Sequence, residues 1–190
     1  MSAWIEMIPD EKASDELTQV LNVVKTPHGT VDNVMRVHSL KPSTMKGHYL
    51  LYKSVLHDDQ HFIPTWFQET IGSYVSILNN CEYSFTNHWK NAKYLIDDEN
   101  KSIQIESALK NKKIDKYFSG KELTLLNYAK KLTLSPDKMI KSDVSKLKNL
   151  GFTDGEILEA NQIICYFNYV NRIINGLGVT TKGDTVGYYK

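Results

Sequence analysis

Residues 65–96, TWFQETIGSYVSILNNCEYSFTNHWKNAKYLI, constrain the fold more than any other stretch of the chain. Phe67, Ile71, Tyr74, Val75 and Leu78 recur at helical spacing and form one apolar stripe. The opposite side carries Glu69, Gly72, Ser73 and Ser76, at i, i+3, i+4 and i+7, so it is small apart from one carboxylate. A second helix can approach closely there, with Glu69 the only long group between the two. Asn79-Asn80 is a turn-forming pair that also suits the cap of a following helix. The stretch therefore predicts a helical hairpin with a close-packing face. On its second helix Cys81, Ser84 and His88 fall at i, i+3 and i+7 and share one side. Cys81 stands in the first turn, where the helix dipole and free amide hydrogens favour a thiolate. A carboxylate, an imidazole and a thiol thus converge, and the chain holds no second constellation of this kind.

The order Glu69, Cys81, Tyr83, Ser84, His88 resembles the signature of the AhpD-like alkylhydroperoxidases, within the carboxymuconolactone decarboxylase superfamily. That pattern is a Glu, a downstream Cys-x-x-Cys and a His four residues after the second Cys. The resemblance extends over most of the chain and is strongest to the peroxidase-related enzymes. Tyr49-Leu50-Leu51-Tyr52, Leu125 to Thr133, Gly151 to Ile157 and Tyr166-Phe167-Asn168-Tyr169-Val170-Asn171-Arg172, with Gly176 to Val179 behind it, carry the likeness. It implies an all-α, AhpD-like multi-helix bundle built around the hairpin at about residues 65–96. It also implies a homo-oligomer that reduces a small hydroperoxide, with an external thiol as reductant and neither metal nor organic cofactor. In that scheme Cys81 is the redox thiol, His88 the general base, Glu69 its orienter, Ser84 a relay and Tyr83 an accessory position.

Ser84 departs from the pattern, because it stands where the family has its second cysteine. A serine hydroxyl is not ionised at neutral pH and cannot cycle through sulfenic acid, so the disulfide relay is absent. Cys81 alone still suits a one-cysteine peroxidase, oxidised by hydroperoxide and reduced by an external thiol. Two alternatives stay open. One is cofactor-free, decarboxylase- or isomerase-type proton transfer on a small carboxylated substrate, run by His88 and Glu69. The other is a catalytically silent oligomer that binds a ligand or partner. The Glu69–His88 pair equally suits a structural hydrogen bond inside the hairpin. A Ser84–His88–Glu69 series lacks an evident oxyanion hole, which disfavours a hydrolase. Cys165 reads as core, and Asn168, Asn171 and Arg172 suit capping or intersubunit bonds as well as chemistry.

The bulk properties narrow the field further. The 190 residues fit one domain, with an N-terminal arm over 1–9 and a C-terminal tail over 180–190. Apolar residues at 41% and charged residues at 24% are those of a folded globular chain. A formal charge of +1 with scattered lysines disfavours nucleic acid, and no apolar run is long enough to span a membrane. The N-terminus lacks a signal-peptide pattern and the two cysteines give no disulfide framework, so a cytoplasmic, reduced compartment is the default expectation.

Periodicity predicts further helices from about Glu11 to Val24, Val31 to His38, Ile103 to Leu109, Lys121 to Leu132 and Asp154 to Asn175, and Ser39 followed by Pro42 marks another start, with Met45, Tyr49, Tyr52 and Leu56 as its stripe. Ser135-Pro136 opens another segment, with Met139, Ile140, Val144, Leu147 and Leu150 as its apolar set. Capping boxes are expected at Thr65/Gln68, Ser119/Glu122 and Thr153/Glu156. Trp4, Ile5, Met7 and Ile8 are expected to dock on the body. The apolar residues of the last helix wrap most of its circumference, which predicts a place in the middle of the bundle or at an interface. The tail is expected to be mobile or to embrace a neighbouring subunit. No alternating strand pattern is present.

Overall fold

The structure, a computed structural model, describes residues 2–189. Its helices are α1 (Asp15–Val23), α2 (Asn33–Arg36), α3 (Pro42–Leu56), α4 (Thr65–Leu78), α5 (Glu82–Ile96), α6 (Glu99–Lys110), α7 (Gly120–Leu134), α8 (Lys141–Asn149) and α9 (Asp154–Leu177). Short 3-10 turns lie at Asp10–Lys12, Ile114–Lys116 and Pro136–Lys138, and the described residues form no strand. The expected all-α bundle around a hairpin is the observed architecture. Met1 and Lys190, the ends of the expected arm and tail, lie outside the described residues.

Eleven of the 14 residues of α4 are buried, so α4, rather than α9, is the central helix. It packs against α5, α7 and α9. The small face receives α9 closely, since a Cβ on Gly72 would lie 2.1 Å from Phe167 Cζ. The Ser73 and Ser76 hydroxyls donate back to the carbonyls of Glu69 and Gly72, at 2.7 and 2.8 Å, which satisfies them inside this apolar contact. α9 keeps Ile163, Ile164, Phe167, Val170 and Ile174 inside, each fully buried apolar chain contributing about 1.5–3 kcal/mol, but it exposes Leu158 and Tyr169. Cys165 is exposed as well, where the sequence predicted core; its thiol faces Asn161 Oδ1 at 3.6 Å. A second, smaller core of Leu17, Val20, Leu21, Val24, Val31, Met35 and Met45 joins α1 and α2 to α3.

Side-chain amides fasten α9 to the α4–α5 turn. Asn79 Nδ2 donates to Asn168 Oδ1 and Asn171 Oδ1, both at 3.1 Å, and Asn175 Nδ2 donates to the Asn79 carbonyl at 3.0 Å. Asn171 Nδ2 reaches Ser76 Oγ at 3.3 Å, and Arg172 Nη1 holds Asn168 Oδ1 at 2.8 Å. These residues therefore bond within the chain. Asn80, at φ 52°, turns the chain into α5.

The expected capping boxes fare unequally. Thr153 and Glu156 bond reciprocally, and this cap is worth about 1 kcal/mol. At Thr65 the cap position falls to Pro64, because Gln68 turns its amide to Ile63 O at 2.8 Å and Glu159 Oε1 at 2.7 Å. The same Glu159 carboxylate accepts the Phe62 and Ile63 amides, so it competes successfully for Gln68. Ser119 occupies its cap position without a side-chain bond, while Glu122 lies half-buried beside Tyr117. The first helix starts later than predicted because Ser14 Oγ accepts the Leu17 amide at 3.2 Å. α6 runs longer than predicted, since Asp98 caps it through the Lys101 amide at 2.9 Å. Ile140 and Leu150 are exposed at the ends of α8, and Leu147 alone of that helix is buried.

The ends of the chain pair with each other. The Trp4 amide donates to Leu177 O at 2.8 Å and the Thr180 amide to Ser2 O at 2.9 Å. Trp4 is 76% exposed and Ile5 is also outside, contrary to expectation; one edge of the Trp4 ring lies over Gly178, whose φ of 60° ends α9. The tail binds its own chain. Asp184 accepts the Asn33 amide at 3.0 Å and the Tyr83 hydroxyl at 2.6 Å. The Gly187 and Tyr188 amides then donate to Asn87 and Asn91 of α5, at 3.0 and 2.7 Å. Among the described residues no helix is long and apolar enough to cross a membrane.

Candidate active site

α4 and α5 lie side by side, and their facing residues make the site. Glu69, 1% exposed, accepts from His88 Nδ1 at 2.7 Å through Oε2 and from Asn91 Nδ2 at 3.2 Å through Oε1. A carboxylate only accepts, so His88 carries its proton on Nδ1 and leaves Nε2 as the free acceptor. Among the described residues Nε2 has no partner. The ring is held edge-on by Phe167, with centroids 4.6 Å apart, and Phe167 in turn needs the space above Gly72. The small face of α4 thus positions the imidazole through α9.

His88 lines a cavity whose empty space, counting its open mouth, is about 780 Å³. Ser84, Tyr83, Asn87 and Asn91 share the α5 wall with it. Tyr49, Tyr52 and Lys53 come from α3, Tyr166 and Val170 from α9, and Gly187 and Tyr188 from the tail. Lys25 and Asp32 also line it. Burial holds the Tyr52 and Tyr166 hydroxyls well above the usual phenol range, so both are neutral donors.

The predicted site residues separate into two groups. Glu69 and His88 bond directly, and Ser84 stands on the same cavity wall. Ser84 Oγ, however, bonds with Ser76 Oγ at 2.9 Å rather than pairing with His88. Cys81 caps α5 from below, 1% exposed among the core residues, and the cavity lining does not include it. The sequence predicted a thiolate there. Burial instead pushes the thiol up to about 11, against the opposing pull of the Ser84 amide and the Asn171 side chain. Desolvation outweighs the helix terminus. Tyr83 bridges away from the dyad, donating to Asp184 and accepting the Val34 amide at 3.3 Å.

Several wall residues escaped the sequence reading. Asn87 adjoins His88 and Asn91 follows it at i+3, a signal that is present but not distinctive. Tyr188 belongs to a tail without periodicity. His57 does not line the cavity but lies behind Tyr188, with burial lowering it to about 3 and its ring 4.1 Å from that of Tyr188. Among the described residues no three His, Cys, Asp or Glu side chains converge as a metal set would.

No family model matches the chain, and no curated protein matches it. Solved structures do. A peroxidase-related protein from Ralstonia eutropha, described as an alkylhydroperoxidase AhpD core, superposes with a TM-score of 0.79 at 17% identity over 97% of this chain and 94% of its own. A peroxidase-related protein from Silicibacter sp. gives 0.81 at 17% identity, over 96% and 93%. The debrominase Bmp8 gives 0.73 at 17% identity, over 96% and 92%. Likenesses of this extent at such low identity establish architecture, and the chain has the all-helical fold of the AhpD core.

Proposed function

We propose that the cavity is the active site of an AhpD-like enzyme that moves a proton on a small carboxylated substrate without a cofactor. His88 is its general base. The observation that carries this reading is the 2.7 Å bond from His88 Nδ1 to the buried Glu69, which leaves Nε2 unpaired on a residue that lines the cavity. Glu69 fixes the tautomer and stabilises the imidazolium that forms when Nε2 takes a proton. Lys25 and Lys53 on the lining suit a substrate carboxylate. A variant of the similarly folded Bmp8 is known in complex with 2,3,4-tribromopyrrole, a small ring, which supports a ligand of that size.

The test is deuterium uptake from D2O beside the carbonyl of small carboxylated lactones, followed by NMR. His88→Ala is expected to lower the rate about 10²–10⁴-fold, while Cys81→Ala retains it. Uptake that survives His88→Ala overturns the reading.

A second reading, hydroperoxide reduction at Cys81, is favoured by the peroxidase-related proteins that share the fold and by the Ser84 amide and Asn171 side chain, which favour the thiolate. The sulfur would attack a peroxide oxygen, the O–O bond would break to release an alcohol, and two external thiols would reduce the sulfenic acid to thiol and water. A buried sulfur off the cavity wall weighs against it. Trapping of sulfenic acid at Cys81 after peroxide, with loss of turnover in Cys81→Ala, decides for this second reading.

A further inference from the structure

A line of polar side chains runs from the cavity to the surface on the side of α3 and α9. Tyr166 lines the cavity together with His88. Its hydroxyl lies 3.1 Å from His48 Nε2, and His48 Nδ1 lies 3.1 Å from His38 Nε2. His38 Nδ1 lies 3.2 Å from Thr44 Oγ1, whose own hydrogen goes to Lys41 O at 2.9 Å.

That last bond sets the direction of all the others. With its hydrogen committed to a carbonyl, Thr44 Oγ1 accepts from His38, so His38 carries its proton on Nδ1 and offers Nε2 as acceptor. His48 must then donate from Nδ1, which leaves Nε2 to accept from Tyr166. One assignment satisfies every bond, and each donor points away from the cavity. Both rings are neutral, because burial lowers His38 and takes His48 down to about 3. His48 is 2% exposed, while His38 and Thr44 are half-buried, so the line ends at solvent.

We propose that Tyr166, His48, His38 and Thr44 form a proton wire joining the cavity to bulk water. For what it serves, though not for its existence, this rests on the proton-transfer reading of His88. A group in the cavity hands a proton to Tyr166 Oη as the Tyr166 O–H bond gives its proton to His48 Nε2. The N–H bond at His48 Nδ1 breaks as one forms at His38 Nε2, and His38 Nδ1 gives its proton to Thr44 Oγ1 as the Thr44 hydroxyl turns from Lys41 O and gives its own hydrogen to water. One unit of charge moves, both rings exchange tautomers, and no oxidant or reductant takes part. A proton travelling inward restores the starting state. The tail gives such a route its use, since Gly187 and Tyr188 wall the cavity and are fastened to Asn87 and Asn91.

Proton and nitrogen NMR of the full chain with labelled histidine and tyrosine tests the wire. His38 and His48 should both resonate as the neutral Nδ1–H tautomer. The His48 ring proton and the Tyr166 hydroxyl should exchange with water at least about tenfold faster than the α3 amides around them. His38→Phe, or the volume-conserving Thr44→Val, should slow both by about tenfold, and added imidazole should restore the rate in His38→Phe. A packing network would respond in the opposite sense, exchanging as fast or faster once opened. Unchanged or faster exchange in both variants overturns the wire, as does a His48 proton on Nε2 in the wild type. The tautomers need no variant to fold. Loss of deuterium uptake in His88→Ala bears on the base alone, so either conclusion can fail without the other.

Discussion

The hydroxyls of Ser76 on α4 and Ser84 on α5 are hydrogen-bonded at 2.9 Å, which ties the cavity wall to the central helix. The bond needs oxygen-sized groups and carries no charge. Ser84→Cys replaces it with a thiol on the cavity wall, one helical turn from Cys81. Hydroperoxide consumption should rise at least about tenfold over wild type, because an accessible sulfur reacts where a hydroxyl cannot. Mass spectrometry should show the loss of two hydrogens as a disulfide forms with Cys81. An S84C protein no more reactive than wild type would mean that this wall is closed to peroxide.

Glu69 satisfies two buried donors at once, His88 Nδ1 and Asn91 Nδ2. Glu69→Ala should cost about 3 kcal/mol in urea unfolding, since both donors are stranded. Glu69→Gln keeps the shape and one acceptor and should cost about 1 kcal/mol. Equal losses would show that the side chain matters by volume alone.

Gly72 is the point where α9 meets α4, with Phe167 occupying the space a methyl group would take. Gly72→Ala should destabilise the fold by about 2–3 kcal/mol, although alanine is the better helix former by about 1 kcal/mol. The displaced Phe167 ring should also shift the His88 ring resonances. A stabilised variant would mean that α9 can retreat at little cost.

Asp32 lines the cavity with Oδ1 buried and without a protein partner, and burial plus the nearby Asp184 raise it to about 7. The folded state therefore holds this proton more tightly than the unfolded state does. The associated stability is fully present below about pH 3.8 and is lost as pH rises through 7. Burial raises Asp184 as well, which adds in the same direction. Asp32→Asn should melt about 3 °C higher than wild type at pH 8, and the gap should close by about pH 4. A gap that persists in acid would remove ionisation as its cause.

The hairpin was legible because its two signals agree: an apolar stripe through Phe67 and Leu78, and a small face at Gly72 and Ser76 that only close packing explains. The Glu69–His88 pair followed from the resemblance joined to helical spacing. Spacing alone could not separate Cys81 from Ser84 and His88. Three residues on one side of a helix can still end at different depths, and the capping position drops Cys81 into the core. The lost Thr65 cap has a similar origin, since Glu159 is remote in sequence and captures Gln68 only after folding. The tail was illegible for want of periodicity; its order comes from Asn33, Asn87 and Asn91, which no local pattern links to it.

The asparagine clamp between α9 and the α4–α5 turn is built almost wholly from neutral amides. Amides neither titrate nor attract counterions, so acid, alkali and salt leave this joint as they find it. One end of the tail is held instead by the Asp184 carboxylate, which lies near Asp32. The α9 joint is thus indifferent to its medium while the Asp184 end of the tail senses it, and a change of buffer should loosen that stretch of the cavity wall while the machinery behind it keeps its aim.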